Sequence, residues 1–129
     1  MKKSKIFPVF ALSVVALFAS CDPAVEYNHV IQNNSNFEVK VLTNDTIVIG
    51  KNTSKTLYTC GGLGGVYDYE NCCFQYDSIP MLVYIADSIK VIPNIQNLNG
   101  WNFHIIKEYK NRGGICECRL ILTNEMLTE

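Results

Sequence analysis

Residues 37–42, Phe-Glu-Val-Lys-Val-Leu, alternate apolar and charged side chains with a period of two. That period fits a strand with one face in a core and one in water, because successive side chains of a strand leave on opposite faces. Comparable short runs recur at 25–32, 46–49, 54–59, 81–85, 88–92, 101–109 and 115–123. Between them stand groups that turn a chain: Asn33-Asn34-Ser35-Asn36, Thr43-Asn44-Asp45, Gly50-Lys51-Asn52, Ala86-Asp87 and Asn111-Arg112-Gly113-Gly114. Asn, Asp and Gly tolerate the backbone angles that tight turns require. Residues 60–65, Cys-Gly-Gly-Leu-Gly-Gly, read as a loop, 72–76 as a further short strand, and 93–100 as an Asn-rich connection. Only residues 124–128 read as helix, one turn capped by Thr123 or Asn124. This spacing predicts an all-β chain: an immunoglobulin-like antiparallel β-sandwich, with a small open β-barrel as the alternative.

The amino-terminal stretch has a different character. Lys2, Lys3 and Lys5 precede an apolar run over residues 6–19, interrupted only by Pro8 and Ser13. Fourteen residues fall short of the roughly 20 that a membrane-spanning helix needs and suit the apolar part of a cleaved secretory signal. The run closes on Phe18-Ala19-Ser20-Cys21, with small residues where a peptidase must approach the backbone. This end resembles the lipobox of bacterial lipoproteins, with Phe18 where Leu is usual. The resemblance implies a lipid on the Cys21 sulfur, cleavage before Cys21 and acylation of the new amino group. It divides the chain into a signal peptide (1–20), a lipidated tether (21–26) and one β-sandwich domain (27–129). The expected location is the cell envelope, anchored in the outer membrane on either its periplasmic or its outer face. Asp22 is the feature that in some Gram-negative bacteria keeps a lipoprotein in the inner membrane. In arrangement the chain also resembles small β-sandwich lipoproteins of Gram-negative bacteria, a likeness that implies no activity.

Cleavage leaves 109 residues, enough for one domain with its own core and too few for two. It removes three lysines, so eight Lys and Arg face twelve Asp and Glu, a net charge of about −4. A mildly acidic chain without a basic cluster is a poor nucleic-acid binder.

Five cysteines remain besides Cys21: Cys60, Cys72, Cys73, Cys116 and Cys118. Export places them where disulfides persist. An odd number leaves one thiol over. Cys116 and Cys118 share a strand face with Leu120 and Leu122, which predicts that the cysteine face is buried. Cys72 and Cys73 are adjacent and point oppositely in a strand. The expected pattern is two bonds drawn from Cys60, Cys72 or Cys73 and Cys116 or Cys118, with the connectivity open. The competing reading, a thiolate site for zinc or copper(I), lacks the C-x₂-C spacing of such sites. No metal and no cofactor are expected.

Enzyme motifs are absent from the sequence. There is no G-x-S-x-G and no H-E-x-x-H, and the glycines of 61–65 lack the Lys-Ser/Thr of a phosphate loop. The usual loop of a two-histidine blue-copper site is missing, because neither His29 nor His104 follows the late cysteines. His29 reads as a partly exposed strand histidine. His104 alternates with Trp101, Phe103 and Ile105 and should face away from them. The expectation is therefore no enzyme. The weaker alternatives are a small hydrolase using Asp68 and Glu70, or a disulfide-stabilised inhibitor or immunity lipoprotein.

Asp-Ser/Thr-Ile occurs three times, at Asp45-Thr46-Ile47, Asp77-Ser78-Ile79 and Asp87-Ser88-Ile89. It resembles the O-glycosylation sequon of exported proteins in some anaerobic Gram-negative bacteria, which implies glycans on Thr46, Ser78 and Ser88. The same residues also suit a turn that opens a strand. Tyr67, Asp68, Tyr69, Glu70, Asn71 and Tyr76 combine aromatic faces with carboxylate and amide groups, a composition suited to a sugar or peptide. The reading is an envelope binding or structural module whose partners are the membrane, through its lipid, and a glycan, peptide or envelope protein.

Overall fold

The computed structural model describes residues 23–64, 74 and 76–128. Among them, eight strands form two four-stranded sheets. The first sheet has the order β4 (Thr53–Leu63), β1 (Ala24–Asn33), β8 (Gly114–Leu122) and β7 (Asn102–Glu108). The second has the order β3 (Thr46–Ile49), β2 (Glu38–Leu42), β5 (Met81–Ile85) and β6 (Ser88–Ile92). The sheets do not close on each other, so the chain is an all-β sandwich and the barrel alternative falls away. One ladder departs from the antiparallel expectation. β1 and β8 run parallel, from Val25 opposite Gly114 to Asn33 opposite Leu122. The first and last strands can do this because the rest of the domain is the crossover between them.

Local chemistry accounts for most of the elements. β5 and β6 form the hairpin expected around Ala86-Asp87, with Ile85 opposite Ser88 and Ala86 at φ 32°. Two boundaries differ from expectation. β1 begins at Ala24, inside the segment read as a tether, and Ala24, Val25 and Glu26 pair with Leu63, Gly62 and Gly61. The loop assigned to residues 60–65 is strand as far as Leu63, because β1 offers it a continuous row of partners and glycine can adopt extended backbone. In the 109–113 turn the left-handed residue is Arg112, at φ 72°. Gly114 is needed for close approach instead: a Cβ there would meet the Lys107 carbonyl across the ladder.

The core lies between the sheets. From the first sheet come Ile31, Leu120 and Leu122, all fully buried. The second contributes Val39, Val41, Ile49, Met81 and Val83, also fully buried. Each such side chain contributes about 1.5–3 kcal/mol by leaving water. Cys116 and Cys118 are buried beside Leu120 and Leu122, as the alternation of β8 required. On the opposite face of the first sheet stand polar groups, where Arg119 Nε donates to Glu117 (2.5 Å) and Arg119 Nη1 donates to Gln32 (2.9 Å). The short helix α1 (Asn124–Thr128) plugs one end of the core with Leu127. Asn124 Oδ1 accepts from the Asn36 amide (2.7 Å), which ties the chain's end to the β1–β2 turn.

The sheets are joined at that end by Asn33, which is fully buried. Its Nδ2 donates to the Phe37 carbonyl (2.7 Å) and the Ile49 carbonyl (3.2 Å). Its Oδ1 accepts from the Ser35 amide (3.0 Å) and the Ser35 hydroxyl (2.6 Å), while its own carbonyl accepts from the Asn52 amide (2.7 Å). One side chain thus connects β1 to the start of β2 and the end of β3. Asn33→Ala leaves those buried groups without partners and should cost about 2–4 kcal/mol. Urea unfolding of wild type and variant measures the loss, and a midpoint within error of wild type would remove Asn33 from this role.

Candidate functional site

The strands of the first sheet are about twice as long as those of the second, so at roughly 3.3 Å per residue the second sheet faces only part of the first. At that transition sits a group of aromatic rings. His29, on β1, stacks on Tyr58 of β4 with ring centroids 4.4 Å apart and planes 17° apart. Phe74 lies 5.4 Å from His29, and Trp101 lies 6.3 Å from it. Phe74 and Trp101 meet edge to face at 5.2 Å, and Tyr76 meets Tyr58 edge to face at 5.4 Å. These are the offset and T-shaped arrangements that ring quadrupoles favour.

Backbone pairing explains why these rings converge. His29 lies opposite Tyr58 on one side and opposite Cys118 on the other. Phe103 pairs with Cys118 from β7. Polar tips anchor the margin: Trp101 Nε1 donates to the Ile95 carbonyl (2.9 Å) in the 3₁₀ turn Ile95–Asn97, and Asn44 Nδ2 donates to the Tyr76 hydroxyl (3.1 Å). Gln96 Nε2 donates to the Tyr76 carbonyl.

Next along the first sheet, Tyr27 lies between Cys60 on β4 and Cys116 on β8. Val25, Tyr27 and Cys116 form a second, smaller buried cluster with Cys60 and Phe103 against it. Cys60 and Cys116 are both in the thiol form. Two strand spacings separate their Cα atoms by about 9.6 Å, beyond the roughly 7 Å that a disulfide spans. Pairing between these two is therefore ruled out in this register. Cys118 is disulfide-bonded, and its partner is not among the described residues. Burial pushes the Cys116 thiol above its ordinary range by desolvation.

His29 is fully buried, which corrects the partly exposed histidine read from the sequence. The signal was available: His29 shares strand parity with Val25, Tyr27 and Ile31, all of which face inward. The buried ring is packed among Tyr58, Phe74 and Trp101. His104 is exposed on β7, opposite Glu117 and away from Phe103, as expected. Tyr76 is half buried in the aromatic group, and Tyr67, Asp68, Tyr69, Glu70 and Asn71 lie outside the described residues, as do Cys21, Cys72 and Cys73. Among the described residues, no three His, Cys, Asp or Glu side chains converge to hold a metal ion. Thr46, Ser78 and Ser88 are all exposed. Thr46 opens β3, Ser88 opens β6, and the Ser78 hydroxyl donates to the Pro93 carbonyl (3.2 Å). The chain matches no family model, no curated protein and no solved structure.

The cysteine geometry makes a chemical prediction. Because its folded pKa is raised, Cys116 favours folding fully below the ordinary thiol pKa, and this contribution declines as pH rises through the ordinary value toward the folded one. Iodoacetamide at mildly alkaline pH should leave Cys116 unmodified in the folded protein and alkylate it after unfolding in urea. Cys118 should become alkylated only after reduction as well. Peptide mapping reads both, and prompt native labelling of Cys116 would contradict its burial.

Proposed function

We propose that this chain is a lipid-anchored cell-envelope protein whose sandwich serves as a binding or structural module, contacting a glycan, a peptide or another envelope protein. The observation that carries the reading is the join between leader and fold. A basic start, a fourteen-residue apolar run and Phe18-Ala19-Ser20-Cys21 end three residues before β1 begins at Ala24. A sandwich that starts this close to a lipidated cysteine is held against the bilayer by its own first strand. The outer membrane is the proposed location. The residues proposed for ligand contact are Tyr67, Asp68, Tyr69, Glu70, Asn71 and Tyr76, of which Tyr76 packs edge to face on Tyr58.

A disulfide from Cys118 to Cys72 or Cys73 belongs to the same reading. It would close a loop of roughly 45 residues and, on the chain-entropy model, favour folding by about 4 kcal/mol less any strain. Exposure of Thr46, Ser78 and Ser88 supports glycan attachment at those hydroxyls, since a bulky glycan fits only a surface position.

The anchor is tested by Cys21→Ala. Wild type should incorporate radiolabelled fatty acid and fractionate with membranes. The variant should take up no label, and label retained in it would refute lipidation at Cys21. For the glycans, the triple change Thr46→Ala, Ser78→Ala and Ser88→Ala should lower the intact mass of protein from its native host by more than the three side-chain differences. A mass change equal to those differences would exclude modification at all three.

A further inference from the structure

The end of the first sheet from which the chain leaves toward Cys21 combines exposed apolar and basic side chains. Four segments meet there. Ala24 pairs with Leu63, and the Gly64 amide donates to the Pro23 carbonyl (2.8 Å). The Tyr109 amide donates to the Gly113 carbonyl (2.7 Å), closing the β7–β8 turn, and Val25 and Glu108 both pair with Gly114. A Cβ at Gly113 would meet the Ala24 carbonyl, so turn and first strand are in close apposition. This end exposes two large apolar side chains, Leu63 at 67% and Tyr109 at 42%. Around them stand Lys107, Lys110 and Arg112, all exposed. Lys107 Nζ lies 5.3 Å from the centre of the Tyr109 ring. Three of the eight Lys and Arg of the mature chain thus fall within six residues of one turn, in a protein of net negative charge. Among the described residues the acidic ones nearby are Glu26, which accepts a hydrogen bond from Asn28 (3.1 Å), and Glu108, and in the sequence Asp22 directly precedes Pro23.

We propose that this tip is a membrane-docking surface, seated on the anionic phosphate headgroups of the bilayer that holds the lipid anchor. The proposal rests on the lipid-anchor reading above and adds the orientation of the domain and the lipid chemistry it contacts. Covalent reach carries the argument. Only Asp22 lies between Cys21 and Pro23, and two residues span at most about 7 Å. With acyl chains in the hydrocarbon and Cys21 at headgroup depth, the tip is confined to the headgroup layer.

The groups found there suit that layer. Tyr places an apolar ring and a polar hydroxyl across an interface, and Lys and Arg lay their stems on apolar surface while their charges reach phosphate. An apolar patch whose exposed Lys and Arg side chains can reach lipid phosphates, beside a lipid chain, acts as a second anchoring signal. The Gly50-Lys51-Asn52 corner lies beyond the other end of β4, a strand of 11 residues, so it projects away from the bilayer by roughly 30 Å.

Lysine footprinting of the full chain tests this. The protein is purified from membranes, its intact mass establishes acylation, and it is placed in phosphatidylcholine nanodiscs with or without phosphatidylglycerol. Acetylation rates of Lys107 and Lys110 are then compared with that of Lys51. Both should be acetylated about fivefold more slowly, relative to Lys51, in discs containing phosphatidylglycerol than in neutral discs. The double change Lys107→Glu and Arg112→Glu, read at Lys110, should abolish that difference while leaving the Lys51 rate unchanged. An acylated protein whose Lys107 and Lys110 rates do not respond to lipid charge overturns the docking surface and leaves the anchor standing. A mass without acyl chains overturns the anchor, and the docking surface with it.

Discussion

Asn33 holds the two sheets in register, and much of the sandwich depends on that one buried amide. Its neighbours in β1 can be exchanged for other apolar groups of similar volume, because burial is not directional. Asn33 cannot, because its amide satisfies carbonyls in two other segments, the start of β2 and the end of β3. It acts where β1 leaves the first sheet, so the angle at which the second sheet begins is set by hydrogen-bond geometry. The apolar residues then fill the gap so defined: Ile31, Leu120 and Leu122 from one side, Val39, Val41, Met81 and Val83 from the other. Leu127 closes the same end and is itself held by Lys90, whose Nζ donates to the Leu127 carbonyl (3.0 Å).

The other end is organised differently. There the first sheet outruns the second, and its inner face carries rings and sulfur alongside Val25. His29, Tyr58, Phe74, Tyr76 and Trp101 form the boundary, with Tyr27, Cys60 and Cys116 beyond it. Aromatic groups suit such a margin because each buries a large area while its polar tip reaches a carbonyl or amide, as Trp101 and Tyr76 do. This leaves a molecule with two unlike poles. One is a tight polar and aliphatic corner at Asn33, and the other is a long sheet end from which the chain departs toward Cys21.

Much of the fold could be read from local sequence because it is locally encoded. β3, β5 and β6 match the runs of alternating or β-branched residues, and β8 buries the cysteine face because Leu120 and Leu122 share its parity. The two boundary errors have a common cause. Ala24 and Gly61-Gly62 carry no strand signal of their own, and they are strand because each offers the other a hydrogen-bonding row. His29 looked half exposed beside Asn28, although its parity with Val25, Tyr27 and Ile31 already put it on the inward face, where Tyr58 of β4 stacks on it. The glycines of the last turn suggested backbone freedom, yet at Gly114 it is the nearness of the Lys107 carbonyl that excludes a side chain.

By itself the sequence determined the all-β class, the positions of most turns and the buried face of the last strand. Each of these follows from residues adjacent or nearly adjacent in the chain. Only the tertiary structure decided that the first and last strands run parallel side by side, that Cys60 and Cys116 flank Tyr27 too far apart to bond, and that Leu63 and Tyr109 share a tip with Pro23. Those are facts of strand order and register. They depend on which distant segments pair, and no short stretch of sequence contains that information.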